Sequence, residues 1–209
     1  MKKNAIIFGD SYSTFDGHIP HGYDAYYPDS GTGVTQVCET WWSLLCEKAD
    51  LNLVLNDSWS GSTVGYTSYD GYDSSRTSSF IFRLRRLIAD GFFTENEIDT
   101  VFVFGGTNDS WSGAPLGEEI YENWSDSDFY NVLPACAYFL HLLKETLPQA
   151  KIYCLINTDL KPEIDACMKT ACEKYGLTPV TFDQIDKISG HPTVQGMNDI
   201  KNGVLTKMK

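Results

Sequence analysis

A chain of 209 residues, 42% hydrophobic and undivided by any Pro/Gly/Ser-rich linker or low-complexity tract, is long enough for one sizeable core, and a single domain over residues 1–209 is expected. Its 16 basic and 28 acidic side chains leave a net charge of -12. That charge opposes attraction to a phosphate backbone or an anionic membrane, so no nucleic acid and no membrane partner is expected, and a neutral small molecule or oligosaccharide fits better.

The first apolar run, residues 4–8, predicts a short strand that stops at Gly9-Asp10-Ser11. Four apolar residues in a row are too few for a signal segment or a membrane span, and a cytoplasmic location is the expectation. Further strands are expected at 51–55, 98–104, 151–156 and 178–182. All five are rich in Val, Ile, Leu and Phe without clean alternation, as befits a parallel sheet covered on both faces. Between them the apolar residues recur near every 3.6 positions: Val37, Trp41, Leu44 and Leu45; a weaker pattern over 79–89; Phe129, Leu133, Cys136, Leu140, Leu143 and Leu147; Ile164, Cys167, Met168, Ala171 and Tyr175. A last helix is expected after Pro192, a residue that suits a first helical turn. Strand alternating with helix predicts a three-layer α/β/α sandwich. The six cysteines form no Cys-x-x-Cys pair and no zinc-type spacing, so they read as buried free thiols, with no metal site and no disulfide framework.

Three connections, 9–35, 57–78 and 105–126, are far longer than is usual, and all leave the carboxyl ends of strands, where an open α/β sheet binds its ligands. They carry Tyr12, Phe15, Tyr23, Tyr26, Tyr27, Trp59, Tyr66, Tyr69, Tyr72, Trp111 and Trp124, which either wall a cleft or pack the loops onto the body. As a group they suggest a sugar or aryl platform, with Tyr12, Trp59 and Trp111 as the rings expected to touch substrate.

The same strand ends carry chemistry. Ser11 follows the first strand and offers a hydroxyl, which needs a neighbouring base to become a nucleophile. Of the four histidines, His191 lies in the loop that can return to the first strand, and it is the expected base. An oxyanion needs aimed donors. The Ser11 N–H, the Gly61 N–H within Asn56-Asp57-Ser58-Trp59-Ser60-Gly61-Ser62-Thr63, and the Asn108 amide after the third strand supply three. Asp10 and Asp109 are read as bracing their turns rather than as catalytic, and His18-Ile19-Pro20-His21 as a surface loop.

With these residues in place the chain resembles the SGNH subgroup of the GDSL esterase/lipase superfamily. Phe8-Gly9-Asp10-Ser11-Tyr12-Ser13 matches the first block, Asn56 to Thr63 the second, and Gly106-Thr107-Asn108-Asp109 the third. The resemblance implies a flavodoxin-like sandwich with strand order 2-1-3-4-5 and Ser11 as nucleophile. It also implies Ser11, Gly61 and Asn108 as oxyanion hole, His191 as base, and no metal or organic cofactor. One block departs: the family's Asp-x-x-His reads Ile188-Ser189-Gly190-His191. Either Asp186 reaches the imidazole, or a main-chain carbonyl near Ile188 accepts its N–H and a Ser11–His191 dyad suffices. The carbonyl is favoured, because Asp186 is offset by two residues. The expected function is a cofactor-independent serine esterase acting on short acyl groups, O-acetyl on carbohydrate foremost. Two alternatives stay open: a flavodoxin-like protein binding phosphate or flavin on the Ser11-Tyr12-Ser13-Thr14 loop, and a carbohydrate-binding relative with weak turnover.

Overall fold

A computed structural model describes residues 2–208. Five parallel strands stand in the order β2-β1-β3-β4-β5: β1 (Lys3–Gly9), β2 (Leu51–Ser58), β3 (Thr100–Phe104), β4 (Lys151–Ile156) and β5 (Thr178–Thr181). Both faces are buried, which explains the missing alternation. On β1, Ile6 and Phe8 enter one core while Ala5 and Ile7 enter the other. On β3, Val101 and Val103 part from Phe102 and Phe104 in the same way. Each such side chain is fully or almost fully buried, and each Ile, Val and Phe among them contributes roughly 1.5–3 kcal/mol to the fold.

Helices α1 (Trp41–Lys48), α2 (Phe80–Ala89), α3 (Phe92–Glu95), α4 (Thr107–Trp111), α5 (Val132–Thr146), α6 (Pro162–Tyr175) and α7 (Val194–Lys207) complete the three layers. The core under α2, α5 and α6 covers one face of the sheet, and the core under α1 and α7 covers the other. Helix starts are set by local chemistry. Thr40 accepts the Ser43 N–H and opens α1 there, so Val37 stays outside in a separate 3-10 turn. Phe129 is likewise left in a 3-10 turn before α5. Pro192 does not begin the last helix; Thr193 caps it through the Gly196 N–H.

The expected terminal loop holds a small antiparallel hairpin, β6 (Lys187–Ile188) and β7 (His191–Pro192), with Ile188 opposite His191. Its two-residue turn has φ of 50° at Ser189 and 81° at Gly190. Positive φ at both positions is what a type I′ turn requires, and glycine meets that demand without steric cost. Of the cysteines, Cys136, Cys154, Cys167 and Cys172 are buried free thiols as expected. Cys38 is exposed and Cys46 half-buried, because both lie at the outer layer around α1. Among the described residues no helix is long and apolar enough to cross a membrane.

Candidate active site

Ser11 stands two residues beyond β1, in a one-turn 3-10 helix capped by Asp10, whose Oδ1 accepts the Tyr12 N–H at 3.1 Å. The chain turns tightly here because residue 9 is glycine: a Cβ would lie 2.6 Å from the Ser13 Cβ. The Ser11 Oγ lies 3.0 Å from the Nε2 of His191, so residues 180 positions apart meet at the sheet edge. The other ring nitrogen, Nδ1, faces the Ser189 carbonyl at 3.3 Å. A carbonyl can only accept, so Nδ1 carries the hydrogen and Nε2 presents its lone pair to the Ser11 hydroxyl.

Asp186 takes no part in this contact. Its carboxylate accepts the Thr193 hydroxyl, and its own carbonyl accepts the Thr193 N–H at 3.0 Å. Its N–H is held by Asp199 at 3.1 Å. The side chain is committed to the start of α7, and the Asp186 alternative gives way to the main-chain carbonyl.

The hairpin that carries His191 is tied to the sheet edge. The Tyr12 hydroxyl donates to the Gly190 carbonyl at 2.5 Å, and the Tyr27 hydroxyl to the Pro192 carbonyl at 2.7 Å. Lys187 donates to Asn157 Oδ1 (2.8 Å), Thr158 Oγ1 (2.9 Å) and Asp159 Oδ2 (2.6 Å), beyond the end of β4. Burial, the largest influence, holds the His191 pKa below its ordinary value; nearby Lys187 adds to this, while the Ser189 carbonyl and Asp29 oppose it. The imidazole is therefore neutral, and able to accept a proton, at pH 7.

On the opposite side, Asn108 sits in the first turn of α4, almost fully buried. Its Nδ2 donates to the Ser62 carbonyl at 3.0 Å, and its Oδ1 accepts the Tyr69 hydroxyl at 2.7 Å. With the carbonyl oxygen of the amide so engaged, the amide's orientation is fixed and one N–H remains for a ligand. Gly61 lies next to Ser62, with φ of 77°. This loop is braced from below by Arg83, wholly buried in α2. Arg83 pairs with Asp57 at 3.0 Å and donates to the Gly9 carbonyl at 3.1 Å and to Ser62 Oγ at 3.3 Å. Asp109 accepts the N–H groups of Val64 and Gly65, joining the third block to the residues that directly follow the second. Burial raises its pKa to about 6. Asp10 is pushed to about 7, chiefly by burial, with Asp109 adding to the effect against the Tyr12 N–H. Its Oδ2 is buried without a partner, as suits a carboxyl that is protonated much of the time near neutral pH. Both aspartates act as braces, as expected.

The aromatic residues divide. Tyr12, Phe15, Tyr27 and Tyr66 are buried and pack the loops onto the body, so Tyr12 does not offer a face to substrate. Trp59 is stacked on Tyr23 with ring centroids 4.1 Å apart, and its indole N–H is held by Asp24 at 3.0 Å. One face of that ring is thus taken by the protein. Trp111 is the expected platform that stays open: 42% exposed, it stands edge-on to His191 at 6.1 Å. The carbonyl expected near Ile188 is that of Ser189, whereas the roles of Arg83 and Tyr69 were not legible in advance. Arg83 alone left a signal, a cation on the apolar stripe Phe80-Arg83-Leu84-Leu87.

The phosphate or flavin alternative finds the Ser13 and Thr14 hydroxyls turned into the protein, both residues being fully buried. Ser13 Oγ accepts the Trp41 indole N–H, and Thr14 Oγ1 donates to the Ser11 carbonyl while accepting the Tyr26 N–H. The loop hydroxyls are spent on the protein itself.

A three-layer sandwich with a serine–imidazole pair at the carboxyl edge of its parallel sheet defines a class, the flavodoxin-like serine esterases. Comparison with known proteins agrees. The family model described as GDSL-like Lipase/Acylhydrolase matches residues 3–208. Solved structures of GDSL-like lipases are similar over nearly the whole chain. One, from Bacteroides ovatus, has 37% identity and a TM-score of 0.91, covering 100% of this chain and 98% of that one. Another, from Bacteroides uniformis, has 40% identity and a TM-score of 0.90, covering 98% and 94%. A family two carbohydrate esterase from Clostridium thermocellum shares the fold at 15% identity and a TM-score of 0.66, over 100% of this chain and 64% of that one. No curated protein matches the chain in sequence. The chain belongs to the GDSL-like lipase/acylhydrolase family and is an ester-hydrolysing serine hydrolase.

Proposed function

We propose that Ser11 is the nucleophile and His191 the general base of a carboxylate-free dyad that hydrolyses short-chain acyl esters, with O-acetyl groups on carbohydrate as the substrate class. The observation that carries this reading is the 3.0 Å contact between Ser11 Oγ and His191 Nε2, with Nδ1 turned to a carbonyl. Ser11 attacks the ester carbonyl as its proton passes to Nε2. The tetrahedral oxyanion is met by the N–H groups of Ser11 and Gly61 and by the free N–H of the Asn108 amide. The imidazolium then protonates the leaving alcohol, and water, deprotonated by His191, releases the acid from the acyl-enzyme. No step calls on a metal or organic cofactor.

The substrate class rests on the rim. Trp111 beside His191 and Tyr69 beside Asn108 leave exposed aromatic surface at the site, which suits the apolar face of a sugar ring. The net charge of -12 favours a neutral substrate over a polyanion. The carbohydrate esterase likeness is one of fold and adds no contact to this argument.

The test is acetate release from 4-nitrophenyl acetate and from acetylated xylo-oligosaccharides, by the wild type and by Ser11→Ala. The wild type is expected to turn over both, and the variant to lose about 10⁴-fold or more in kcat. A variant that keeps the wild-type rate, or a wild type that releases acetate from neither, overturns the assignment.

A further inference from the structure

His191 lacks the carboxylate that would fix its ring and stabilise its charged form, yet one face of the ring is fully engaged. The Tyr26 ring lies parallel to it, with ring centroids 3.6 Å apart and an interplanar angle of 5°. We infer that Tyr26 is a positioning residue that performs, through its π face, the two tasks left open by Ile188: it holds the imidazole plane against Ser11 and stabilises the imidazolium that forms as the proton is taken. The inference rests on the Ser11–His191 reading.

Three observations support it. First, Tyr26 is held where it stands from both reacting sides. Its N–H donates to Thr14 Oγ1 at 2.9 Å, and that hydroxyl donates to the Ser11 carbonyl at 3.0 Å. Its neighbour Tyr27 donates to the Pro192 carbonyl at 2.7 Å and meets the Tyr26 ring edge-on at 4.9 Å. The stack thus spans the nucleophile turn and the base hairpin, adding to the Ser11–His191 and Tyr12–Gly190 hydrogen bonds a contact on the imidazole face itself. Second, the Tyr26 hydroxyl makes no hydrogen bond among the described residues, so the ring rather than the phenol oxygen is what this position contributes. Third, a cation against an aromatic face is favoured over a neutral ring in the same place, typically by a factor of a few to some thirty. A contact that strengthens as charge develops lowers the barrier rather than merely binding the ground state.

The groups facing the imidazole from the other elements set the background. Asp29, held by the Thr32 N–H at 2.7 Å, favours the charged form, and Lys187 disfavours it. Trp111 covers an edge, and the Tyr12 ring is tilted at 5.6 Å. The Tyr26 phenol is itself pushed up by burial and by Asp29, and so stays neutral.

The experiment compares Tyr26→Phe with Tyr26→Leu. Phenylalanine keeps the π face, whereas leucine keeps apolar cover over the imidazole and removes it. Two readouts are taken: steady-state kinetics on 4-nitrophenyl acetate, and NMR titration of the His191 ring, assigned by its loss in His191→Asn. Tyr26→Phe is expected to stay within about twofold of wild type in both. Tyr26→Leu is expected to lose about tenfold in kcat with KM little changed, and to titrate His191 at a lower pH than wild type, shifting the acid limb of kcat the same way. A Tyr26→Leu protein whose His191 titrates at or above the wild-type pH overturns the inference, whatever its rate, since loss of packing alone lets water in and moves the titration upward. The NMR readout does not depend on turnover. Ser11-dependent hydrolysis with an unmoved titration removes Tyr26 and keeps the dyad. A lowered titration without Ser11-dependent hydrolysis keeps the stack and removes the dyad.

Discussion

The proposed oxyanion side of the site and the proposed base side share one sheet edge but are held by different forces. On the oxyanion side, buried charge does the holding: Arg83 binds Asp57, Gly9 and Ser62 at once, Asp109 clamps Val64 and Gly65, and Tyr69 and Ser62 fix the Asn108 amide. On the base side, His191 rides a two-residue hairpin whose ring is fixed by one carbonyl and an aromatic stack. Donors that must stand ready for an oxyanion gain from rigid, desolvated surroundings. A base that must alternate between neutral and charged forms is better served by neutral partners, which neither trap the proton nor repel it. The placement of charge beneath one group and of π faces around the other follows from what each has to do during a turnover.

Breaking the charged side should have the largest effect. Arg83→Met removes a cation that is wholly buried and leaves the buried Asp57 without its partner, and a loss of about 3–5 kcal/mol of stability is expected in denaturant unfolding. A loss below about 1 kcal/mol would mean that the ion pair is not what locks the second block to the first.

The contrast is also one of legibility. All five strands and the long helices were readable because burial on both faces leaves unbroken apolar runs and a 3.6-residue period. Ser11 and Asn108 were legible as candidates because strand ends in a parallel sheet are predictable positions, and His191 because its loop can return to the first strand. What escaped was held by long-range contacts. Tyr26 and Tyr69 look like any other loop aromatic until the chain brings them against His191 and Asn108. The carbonyl facing His191 was by contrast expected near Ile188, because its contact is local, two residues along a tight turn. Arg83 reads as the solvated residue of an amphipathic helix unless its place on the apolar stripe is noticed.

A smaller effect, confined to the chemistry, is expected from Asn108→Ala. Its removal takes one donor from the proposed oxyanion hole and leaves the Arg83 network in place, so kcat should fall about 10²–10³-fold in steady-state assays with KM changed far less. An equal rise in KM at unchanged kcat would make Asn108 a substrate-binding group instead.

The claim that the base works without a carboxylate is tested most directly by the pH dependence of Ser11 phosphonylation by a fluorophosphonate, followed by intact mass, in the wild type and in Asp186→Asn. Labelling requires His191 in its neutral form. Because burial holds that ring below its ordinary value of 6.5, the rate should rise along a one-proton limb with its midpoint below 6.5 and level off above that limb. Asp186→Asn is expected to keep that midpoint and to label within about threefold of wild type, since Asp186 holds Thr193 and not the imidazole. A variant that loses labelling by about the 10⁴-fold typical of a missing triad aspartate, or whose limb moves, would place the carboxylate back in the mechanism and contradict the dyad.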